Sequence, residues 1–483
     1  MPPKSSVHKS YQNIINNIKL VLLFIIFTIF IKKEANFILL FIKMLILINK
    51  KQENEALIVK LWHLKKGSFM KYRDLATLYH MDSSSSREST HKKEYNRRFN
   101  MESTFRLGIS TDKGELFIAV PREMTVLMER VMQTEQKLSR LVDSLPPLAN
   151  FALIRGLVLD EVVSTNAIEN IHSTRAQVKE ALEAGLGQRS GNSQYRRFKE
   201  LALLYFDIAD NSRNVIPKTL EDLRRIYDKV IDGELNESQN PDGKLFRAGG
   251  VQITAGGVKV VHNGVEPEKR INEYLKKMID LTSRTDIPEL LRTIASHYVF
   301  EYVHPFYDGN GRTGRYLLSL YLCEALSTPT VLSLSRVISE NKNTYYAAFS
   351  SAEKVLNCAE LTFFVYSILE LIRIAQSETL DRIQMSQSQL TKYNSNCKHF
   401  LEKHALTSKE LKIVHVFAHF SLFGVTKNVS LNELSEATSA GKQTVRKYTA
   451  LLEEKGLIEK ISQHPLSFAL SPIAEKELGI VDV

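Results

Sequence analysis

The sequence predicts a mainly α-helical protein with one short β-hairpin and, toward its C-terminal end, a smaller unit of three helices and a second hairpin. Three observations support this fold class. From about Pro121 onward, apolar residues recur at helical spacing. Residues 247–265 instead gather β-branched residues around a glycine-rich turn. Residues 404–483 hold three more helical segments, followed by two short apolar stretches.

Turn and cap residues bound the main helices. The predicted segments are Asn150–Glu169, a helix that begins after the capping pair Thr219 and Asp222, Pro288–Tyr302, and Gly311–Leu326. The last of these is so apolar that we expect it to be a central helix, enclosed by the others.

The β-hairpin is predicted where Val251 and Ile253 precede the turn Ala255–Gly257 and three valines follow it. In a chain whose other signals are helical, we interpret it as an isolated β element.

The C-terminal region begins after a polar stretch, residues 375–400, which is rich in Gln and Ser and is predicted to be a linker. Its predicted elements are a helix at Leu411–Phe420, a second helix capped by Ser430 with Glu433, a third at Lys442–Glu454, and strands at Leu457–Ile461 and Leu466–Leu470. This order of elements is typical of a winged helix-turn-helix.

The net charge of +10 does not indicate a nucleic-acid partner, because it is confined to one end of the chain. Residues 1–100 hold 18 Lys and Arg against 7 Asp and Glu, and the rest of the chain has 46 against 47. The three cysteines, Cys323, Cys358 and Cys397, have no metal-ligand spacing and an odd count, which favours a reducing, cytoplasmic location.

The first hundred residues contain three apolar runs, Leu20–Ile31, Phe37–Ile42 and Met44–Ile48, each shorter than the roughly 20 residues of a membrane span. Lysines and a glutamate separate the runs, so a joined span would bury charge. Two interpretations stay open: translated non-coding sequence ahead of the true start, or a membrane anchor, which would make the protein membrane-associated. If the first interpretation holds, the candidate starts are Met70, Met81 and Met101. Ser83–Ser86 and Arg87–Arg98 are then predicted to be a disordered or artefactual leader.

The segment His304–Arg315 has the properties of a phosphate site. Pro305 disfavours helical geometry at the preceding residue, so one helix ends at His304. Asp308-Gly-Asn-Gly311 is a turn that leads directly into the next helix, whose first backbone N–H groups attract anions. Arg312 and Arg315 lie three residues apart in that first turn and can hold phosphate oxygens, while Asp308 offers an oxygen ligand for Mg²⁺. The imidazole of His304 can accept a proton near neutral pH.

The complete string also resembles, without a gap, the signature of the Fic (Fic/Doc) family of protein adenylyltransferases, His-x-Phe-x-(Asp/Glu)-Gly-Asn-Gly-Arg-x-x-Arg. The resemblance covers about residues 120–375 and implies a Fic helical bundle that transfers AMP from ATP to Ser, Thr or Tyr hydroxyls of a protein, with release of pyrophosphate. It implies that His304 is the general base, that Phe306 anchors the loop and that Asp308 binds Mg²⁺. The implied ATP-binding residues are Asp308, Gly309, Asn310, Gly311, Arg312, Thr313, Gly314, Arg315 and Tyr346.

Thr165-Asn-Ala-Ile-Glu169-Asn170 resembles the inhibitory motif of the same family, (Ser/Thr)-x-x-x-Glu-(Gly/Asn). The resemblance implies that Glu169 pairs with Arg315 and takes the place of the γ-phosphate, so the enzyme is autoinhibited. The hairpin at 247–265 resembles the family's flap, on which a target segment adds as a strand; a purely structural hairpin is the alternative. Tyr345 and Tyr346 resemble a pair near the adenine and ribose, although aromatic core packing explains them almost as well.

The predicted organisation has five parts: a doubtful leader at 1–100, an N-terminal helical region with the inhibitory motif at 101–215, the Fic catalytic core at 216–375, a linker at 376–403 and the winged helix-turn-helix at 404–483. Further expected partners are DNA, through residues 442–454, and a second copy in a homodimer; protein contacts are the alternative for residues 442–454. Competing functions are another transfer on the same scaffold (UMP, phosphocholine, phosphate, or removal of AMP) and a DNA-binding regulator with a silent catalytic domain.

Overall fold

Helices make up most of the described chain, as the sequence predicts. The computed structural model describes residues 72–184, 193–210, 215–232, 239–255 and 259–480. The apolar runs between residues 20 and 48 lie outside these ranges, so both interpretations of that segment stay predictions. Among the described residues, no helix is long and apolar enough to cross a membrane.

The helices have the following bounds: α1 (Leu75–Met81), α2 (Arg87–Phe99), α3 (Arg122–Asp143), α4 (Pro147–Ile168), α5 (Arg175–Ala184), α6 (Ser193–Ala209), α7 (Leu220–Val230), α8 (Glu268–Thr282), α9 (Glu289–Val303), α10 (Asn310–Leu322), α11 (Thr328–Val331), α12 (Leu334–Glu340), α13 (Lys342–Ala352), α14 (Thr362–Lys403), α15 (Ser408–Phe423), α16 (Leu431–Thr438), α17 (Lys442–Glu454) and α18 (Pro472–Leu478). The capping boxes at Thr219 with Asp222 and at Ser430 with Glu433 are both formed, as predicted.

Helix α10 is the central helix that its composition predicts. All its residues except Gly311 are buried, and it packs against α9, α7, α6 and α4. It ends four residues earlier than expected, at Leu322, because the chain turns there toward the short helix α11. An apolar helix enclosed on several sides gives the residues at its N-terminus a fixed position.

The described strands form three small antiparallel sheets: β1 (Thr104–Thr111) with β2 (Gly114–Ala119), β3 (Gln252–Ala255) with β4 (Lys259–Asn263), and β5 (Val429–Ser430), β7 (Leu466–Leu470) and β6 (Ile458–Gln463) in the order β5-β7-β6. The hairpin β3–β4 lies within the predicted 247–265, although its tip, 256–258, is outside the described residues. The expectation that it is an isolated β element is wrong, because β1 and β2 form another hairpin before the first long helix. Apolar residues alternate along β1, which is typical of a strand, and Gly114 follows it at the turn with φ 129°. The prediction of a helical region at 101–215 did not include this hairpin.

The disorder predicted for Arg87–Arg98 is wrong, while the doubtful leader at 1–100 stays a prediction. Residues 87–99 form helix α2 rather than a disordered stretch. Arg98 is only 2% exposed, and its Nη1 donates to Glu360 Oε2 at 2.9 Å, while the Tyr72 hydroxyl donates to Glu360 Oε1 at 2.7 Å. The local excess of basic residues suggested disorder. Arg98, however, is paired with Glu360, which lies 262 positions later in the sequence, and no local pattern predicts that contact.

The predicted linker at 376–403 is the last two-thirds of the 42-residue helix α14. Its repeated Gln and Ser residues lie mostly on the outer face, while Ile383, Leu390, Tyr393 and Phe400 are buried. The helical spacing of these four residues was hidden by the polar composition. A helix therefore connects the two predicted parts, and residues from Tyr72 onward form one compact unit.

The C-terminal unit, which we define as residues 404–480, consists of α15, β5, α16, α17, β6, β7 and α18. Helix α17 has the predicted bounds Lys442–Glu454, and β7 the predicted bounds Leu466–Leu470. The naming of this unit as a winged helix-turn-helix stays a prediction, as do the five domain boundaries.

Candidate active site

The candidate site is the loop between α9 and α10. His304 is the C-cap of α9 and has left-handed backbone geometry, φ 50° and ψ 62°, so the helix stops at the predicted His-Pro step. Gly309, the N-cap of α10, also has positive φ, 79°. An added Cβ at Gly309 would lie 2.5 Å from Ile231 Cγ2, so both the conformation and the space require glycine there.

Two contacts hold the loop in place. The ring of Phe306 is stacked on Tyr227 with centroids 3.4 Å apart and planes 6° apart, which agrees with an anchoring role. The side chain of Asn310 bridges the loop: its Oδ1 accepts from the Phe306 N–H at 2.9 Å and its Nδ2 donates to the Phe306 carbonyl at 2.8 Å. The Asn310 amide was expected to hold phosphates, but in this structure it holds the backbone of the loop.

A carboxylate lies against the first turn of α10. The first intrahelical bond runs from the Thr313 N–H to the Gly309 carbonyl at 3.0 Å, so the N–H groups before it point out of the helix end. The Thr313 hydroxyl donates to the same carbonyl at 2.9 Å. A Cβ on Gly311 would overlap Glu169 Oε1 and lie 3.0 Å from Arg315 Nη1. Glu169 therefore lies against the helix end that suits an anion.

His304 is half-buried, and its Nδ1 has no hydrogen-bond partner. Burial, together with nearby His262, lowers the pKa of His304 to about 4. The imidazole is therefore neutral at pH 7 and has a lone pair available. Its backbone carbonyl accepts from Arg247 Nε at 2.8 Å, which fixes the residue from the flap side.

Asp308 is exposed at the outer side of the loop. Its Oδ1 accepts from the Gly309 N–H at 2.6 Å, and its Oδ2 accepts from Gln239 Nε2 at 3.2 Å. Among the described residues, no group of three or more His, Cys, Asp and Glu side chains could hold a metal ion by itself. One accessible carboxylate still fits Mg²⁺, which proteins commonly bind through one or two carboxylates together with substrate phosphates.

Arg315 is held on three sides by the segment that was predicted to inhibit it. Its Nη1 lies 2.7 Å from Glu169 Oε1, its Nε donates to Thr165 Oγ1 at 2.9 Å, and its Nη2 donates to the Thr165 carbonyl at 3.0 Å. Burial opposes the charge of Arg315, yet Glu169 and the acidic groups near it hold the pKa of Arg315 above its usual range. The first and fifth residues of the predicted motif thus both contact the arginine.

The end of α4 explains why an Asn follows Glu169. Asn170 has φ 59°; its N–H donates to the Ala167 carbonyl at 3.2 Å, and the next N–H, of Ile171, donates to the Asn166 carbonyl at 2.9 Å. This is a Schellman ending, in which Gly or Asn takes the left-handed position. Lys342 Nζ also donates to the carbonyls of Ala167 and Ile168. Glu169 is therefore presented by a well-capped helix end.

Arg312 and Gly314 complete the predicted set on α10. Arg312 is 1% exposed, and a Cβ on Gly314 would overlap Glu301 Oε1. Tyr345 is buried, and its hydroxyl lies 2.8 Å from His297 Nε2, whose Nδ1 lies 3.1 Å from the Gly314 carbonyl. Tyr346, in contrast, is 46% exposed. Of the two tyrosines, Tyr345 packs in the core and Tyr346 is the accessible one.

Sequence reasoning missed two buried acids near Arg315. Glu301 Oε1 has no hydrogen-bond partner, and burial raises the pKa of Glu301 to about 8. Burial also raises the pKa of Glu161 to about 7, although the Ser335 N–H donates to its Oε2 at 3.0 Å. Glu301 precedes His304 by three residues and Glu161 precedes Thr165 by four, so helical spacing could have found both.

The base of the hairpin β3–β4, the predicted flap, is fastened to the loop between α9 and α10. Arg247 is buried, and besides His304 it donates to the carbonyls of Gly249 at 2.5 Å and Val265 at 2.8 Å. His262 in β4 lies between Glu353, 2.9 Å from its Nδ1, and the Tyr302 carbonyl, 2.7 Å from its Nε2. The flap thus begins and ends beside His304.

The helix predicted to contact DNA, α17, is exposed along its first turns. Lys442, Gln443, Thr444, Arg446 and Lys447 are all exposed, and Val445 is buried. Acidic residues balance these cations elsewhere in the unit, so the basic surface is small.

Comparison with known proteins supports the resemblance seen in the sequence. Residues 217–322 match the model of the family described as Fic/DOC family, a stretch that contains the loop and α10. The chain therefore contains a Fic/DOC family domain. Glu169 lies outside the matched range.

The chain is similar to three curated proteins over part of their length: "Protein adenylyltransferase fic-1" of Caenorhabditis elegans (36% identical over 104 residues, 21% of this chain and 18% of that protein), its namesake in Caenorhabditis briggsae (35% over 210 residues, 42% and 38%) and "Probable protein adenylyltransferase aq_aa38" of Aquifex aeolicus (36% over 74 residues, 15% and 21%). The chain thus spans less than two-fifths of the length of each of these relatives.

Two solved structures align with part of this chain. A Fic family protein from Desulfovibrio desulfuricans G20 aligns with 72% of this chain and 95% of its own, with a TM-score of 0.45 and 21% identity. Fic-1 of Caenorhabditis elegans, residues 134–508, aligns with 55% of this chain and 76% of its own, with a TM-score of 0.38 and 20% identity.

Proposed function

We propose that this protein is a nucleotidyltransferase that moves AMP from ATP to a Ser, Thr or Tyr hydroxyl of a protein and is restrained by Glu169. The observation that carries the proposal is the placement of one carboxylate, Glu169, on both the N-terminal turn of α10 and the guanidinium of Arg315. An anion already occupies the place where the chemistry of the residues favours a phosphate. The family match and the names of the similar proteins support adenylyl transfer as the reaction.

In this mechanism His304 accepts the proton of the target hydroxyl. The hydroxyl oxygen then forms a bond to the α-phosphorus, the bond between the α-phosphorus and its bridging oxygen breaks, and pyrophosphate leaves. The low pKa of His304 keeps the imidazole in the neutral form that this step needs. Because Arg247 binds the His304 carbonyl, the base keeps its position relative to the flap.

The chain's own groups position the triphosphate. The N–H groups of the first turn of α10 and the guanidinium of Arg312 would hold the α- and β-phosphates, and Arg315 would hold the γ-phosphate. Asp308 would hold Mg²⁺, which neutralises phosphate charge when bound. Asn310 keeps the loop in shape through its two bonds to Phe306. Tyr346 is the exposed aromatic that could contact the base.

Autoinhibition is part of the proposal. While Glu169 occupies Arg315, the γ-phosphate has no cationic partner at that end, and ATP would bind in an unproductive pose. The carboxylate of Glu169 is 32% exposed, so it can leave toward solvent without opening the core. Thr165 would keep the arginine oriented in either state.

The remaining elements of the proposal concern partners. A target segment would add to the flap at 247–265, close to His304. Binding of DNA by residues 442–454 and formation of a homodimer stay predictions. The proposed cytoplasmic location rests on the odd number and the spacing of the cysteines in the sequence.

Intact-protein mass spectrometry after incubation with ATP and Mg²⁺ tests the reaction. In the Glu169→Gly variant we expect a gain of one AMP on the protein or on a supplied target, larger than in the wild type and absent when His304→Ala is added. UTP and CDP-choline in parallel reactions test the other transfers. No mass change in Glu169→Gly with ATP would contradict the proposed activity, and incorporation no higher than in the wild type would contradict autoinhibition.

A further inference from the structure

Helix α4, which presents Glu169 at its C-terminal end, is gripped near its middle by the C-terminal unit. Gly156 of α4 packs directly on the loop after α15: an added Cβ there would lie 2.9 Å from the Val425 backbone N. A backbone atom cannot move aside as a flexible side chain can, so the close approach depends on glycine. The two surfaces are therefore fitted to each other.

A buried ion cluster fastens the same contact. Glu433 of α16 lies 2.6 Å from Lys179 Nζ of α5 and 3.3 Å from Arg155 Nε of α4. The side chains of Lys179 and Glu433 are 7% and 4% exposed. Lys179 Nζ also donates to the Asn428 carbonyl at 2.8 Å, and Arg155 Nη1 lies 3.0 Å from Glu436. Burial opposes the ionised form of Glu433, but the two cations keep its pKa below the usual range.

A second carboxylate, from α5, contacts the C-terminal unit. Glu183 of α5 accepts hydrogen bonds from the Ser430 hydroxyl and from Asn432 Nδ2. Ser430 and Glu433 are also the capping box of α16, so the cap of that helix and the contact with α4 and α5 share the same atoms. A disturbance of α16 is therefore transmitted to the helices that lead to Glu169.

We propose that the C-terminal unit is a second part of the brake, in which Glu433 is a positioning residue that holds α4 where Glu169 meets Arg315. The inference rests on the proposed function and deepens it. Arg155 and Glu169 are 14 positions apart on one helix and its cap, or about 21 Å at 1.5 Å per residue. A continuous helix moves as a rigid body over such a length, so the contact near its middle sets the position of its C-terminal end.

Loss of the Glu433 charge would leave Lys179 without a carboxylate partner. Arg155 keeps its contact with Glu436, but the buried Lys179 keeps only the Asn428 carbonyl, and leaving a buried charge unpaired is strongly unfavourable. The least costly relief is a displacement of α4 and α5 from the unit. The pair Glu169–Arg315 lies at the protein surface on the Glu169 side, so it yields more easily than the packed faces of α4.

The test measures AMP incorporation by Glu433→Gln, because glutamine can keep the capping box while it removes the charge. We expect the rate to rise on the order of fivefold or more above wild type, a typical size for coupling between distant sites. In the double variant with Glu169→Gly we expect no further rise, because the brake is already absent. Glu183→Ala leaves the ion cluster intact and should raise the rate of AMP incorporation by a smaller factor. If Glu433→Gln does not fold, the rate of Glu183→Ala tests the inference instead.

Glu360→Gln is the matched control, since it also removes the carboxylate of a buried ion pair, but one away from α4. An equal rise in Glu360→Gln would mean that general destabilisation causes the effect and would overturn the inference. So would wild-type rates in folded Glu433→Gln and Glu183→Ala, or a further rise in the double variant, provided that Glu169→Gly itself is active. An inactive Glu169→Gly would instead overturn the proposed function.

Discussion

Two arginine–glutamate pairs of nearly the same length have different surroundings in this molecule. Arg98 and Glu360 lie 2.9 Å apart, and their side chains are 2% and 1% exposed. Arg315 and Glu169 lie 2.7 Å apart, but while Arg315 is 2% exposed, Glu169 is 32% exposed. The first pair is enclosed on both sides, and the second has one partner at the surface.

The difference separates a structural ion pair from a replaceable one. Glu360 also accepts from Tyr72, and neither oxygen can be exchanged for a ligand without opening the packing of α2. Glu169 comes from a helix cap, and a phosphate that approaches from solvent could take its place on Arg315. The short distance alone would not have distinguished the two.

The largest expected effect tests whether AMP transfer depends on His304 once the Arg315–Glu169 pair has been removed. In the Glu169→Gly background, His304→Ala should lower AMP incorporation by about 10²–10⁴-fold, the usual contribution of a general base. Rates of incorporation from radiolabelled ATP measure this. Undiminished incorporation in the double variant would remove His304 from the mechanism.

The second prediction compares matched substitutions in the two pairs. Glu360→Gln should lower the free energy of unfolding by about 3 kcal/mol, the lower end for a broken buried pair, because the buried Arg98 keeps only the partly exposed Glu94 as a carboxylate partner. Glu169→Gln should cost less, about 1–2 kcal/mol, because water reaches the Glu169 side of the pair and Thr165 still binds the buried Arg315. Urea denaturation of both variants measures the difference. Equal losses of stability would break the distinction between the two pairs.

The third prediction concerns the cap that presents Glu169. Asn170→Val should weaken the brake, because a β-branched residue at φ 59° costs roughly 1–2 kcal/mol, whereas Asn170→Gly should preserve it. Incorporation of AMP should therefore rise in the valine variant and remain near wild type in the glycine variant. Equal rates in the two variants would show that the Schellman ending does not support Glu169.

The smallest expected effect concerns Glu301. Its pKa is raised from 4.5 to about 8 in the folded protein, so its contribution to stability is complete below about pH 4.5 and is lost as the pH rises through 8. Glu301→Gln removes this titration. Between pH 6 and pH 9, the Tm of the wild type should fall by roughly 1–3 °C more than that of the variant. Parallel Tm curves would contradict a raised pKa.

The loop between α9 and α10 was predictable because its conformation depends on residues that are close in the sequence. Pro305, Gly309 and the capping pair at Thr219 and Asp222 act through neighbouring backbone, and each lies where the sequence places it. The helix at 376–403 and the hairpin β1–β2 were missed for the opposite reason. Their stability comes from apolar side chains that pack on distant helices, and polar neighbours in the sequence concealed them.

The sequence by itself predicted the Fic/DOC domain, the turn at the start of α10 that we propose binds phosphate, and the pair of residues expected to oppose each other, Glu169 and Arg315. All three predictions depend on short-range backbone geometry and on two specific sequence motifs. Only the tertiary structure decided that Thr165 also binds Arg315, that Asn310 serves the loop, that Glu301 lies buried at the site and that Glu433 reaches α4. These contacts join residues whose meeting depends on how whole helices pack, and no local pattern records that.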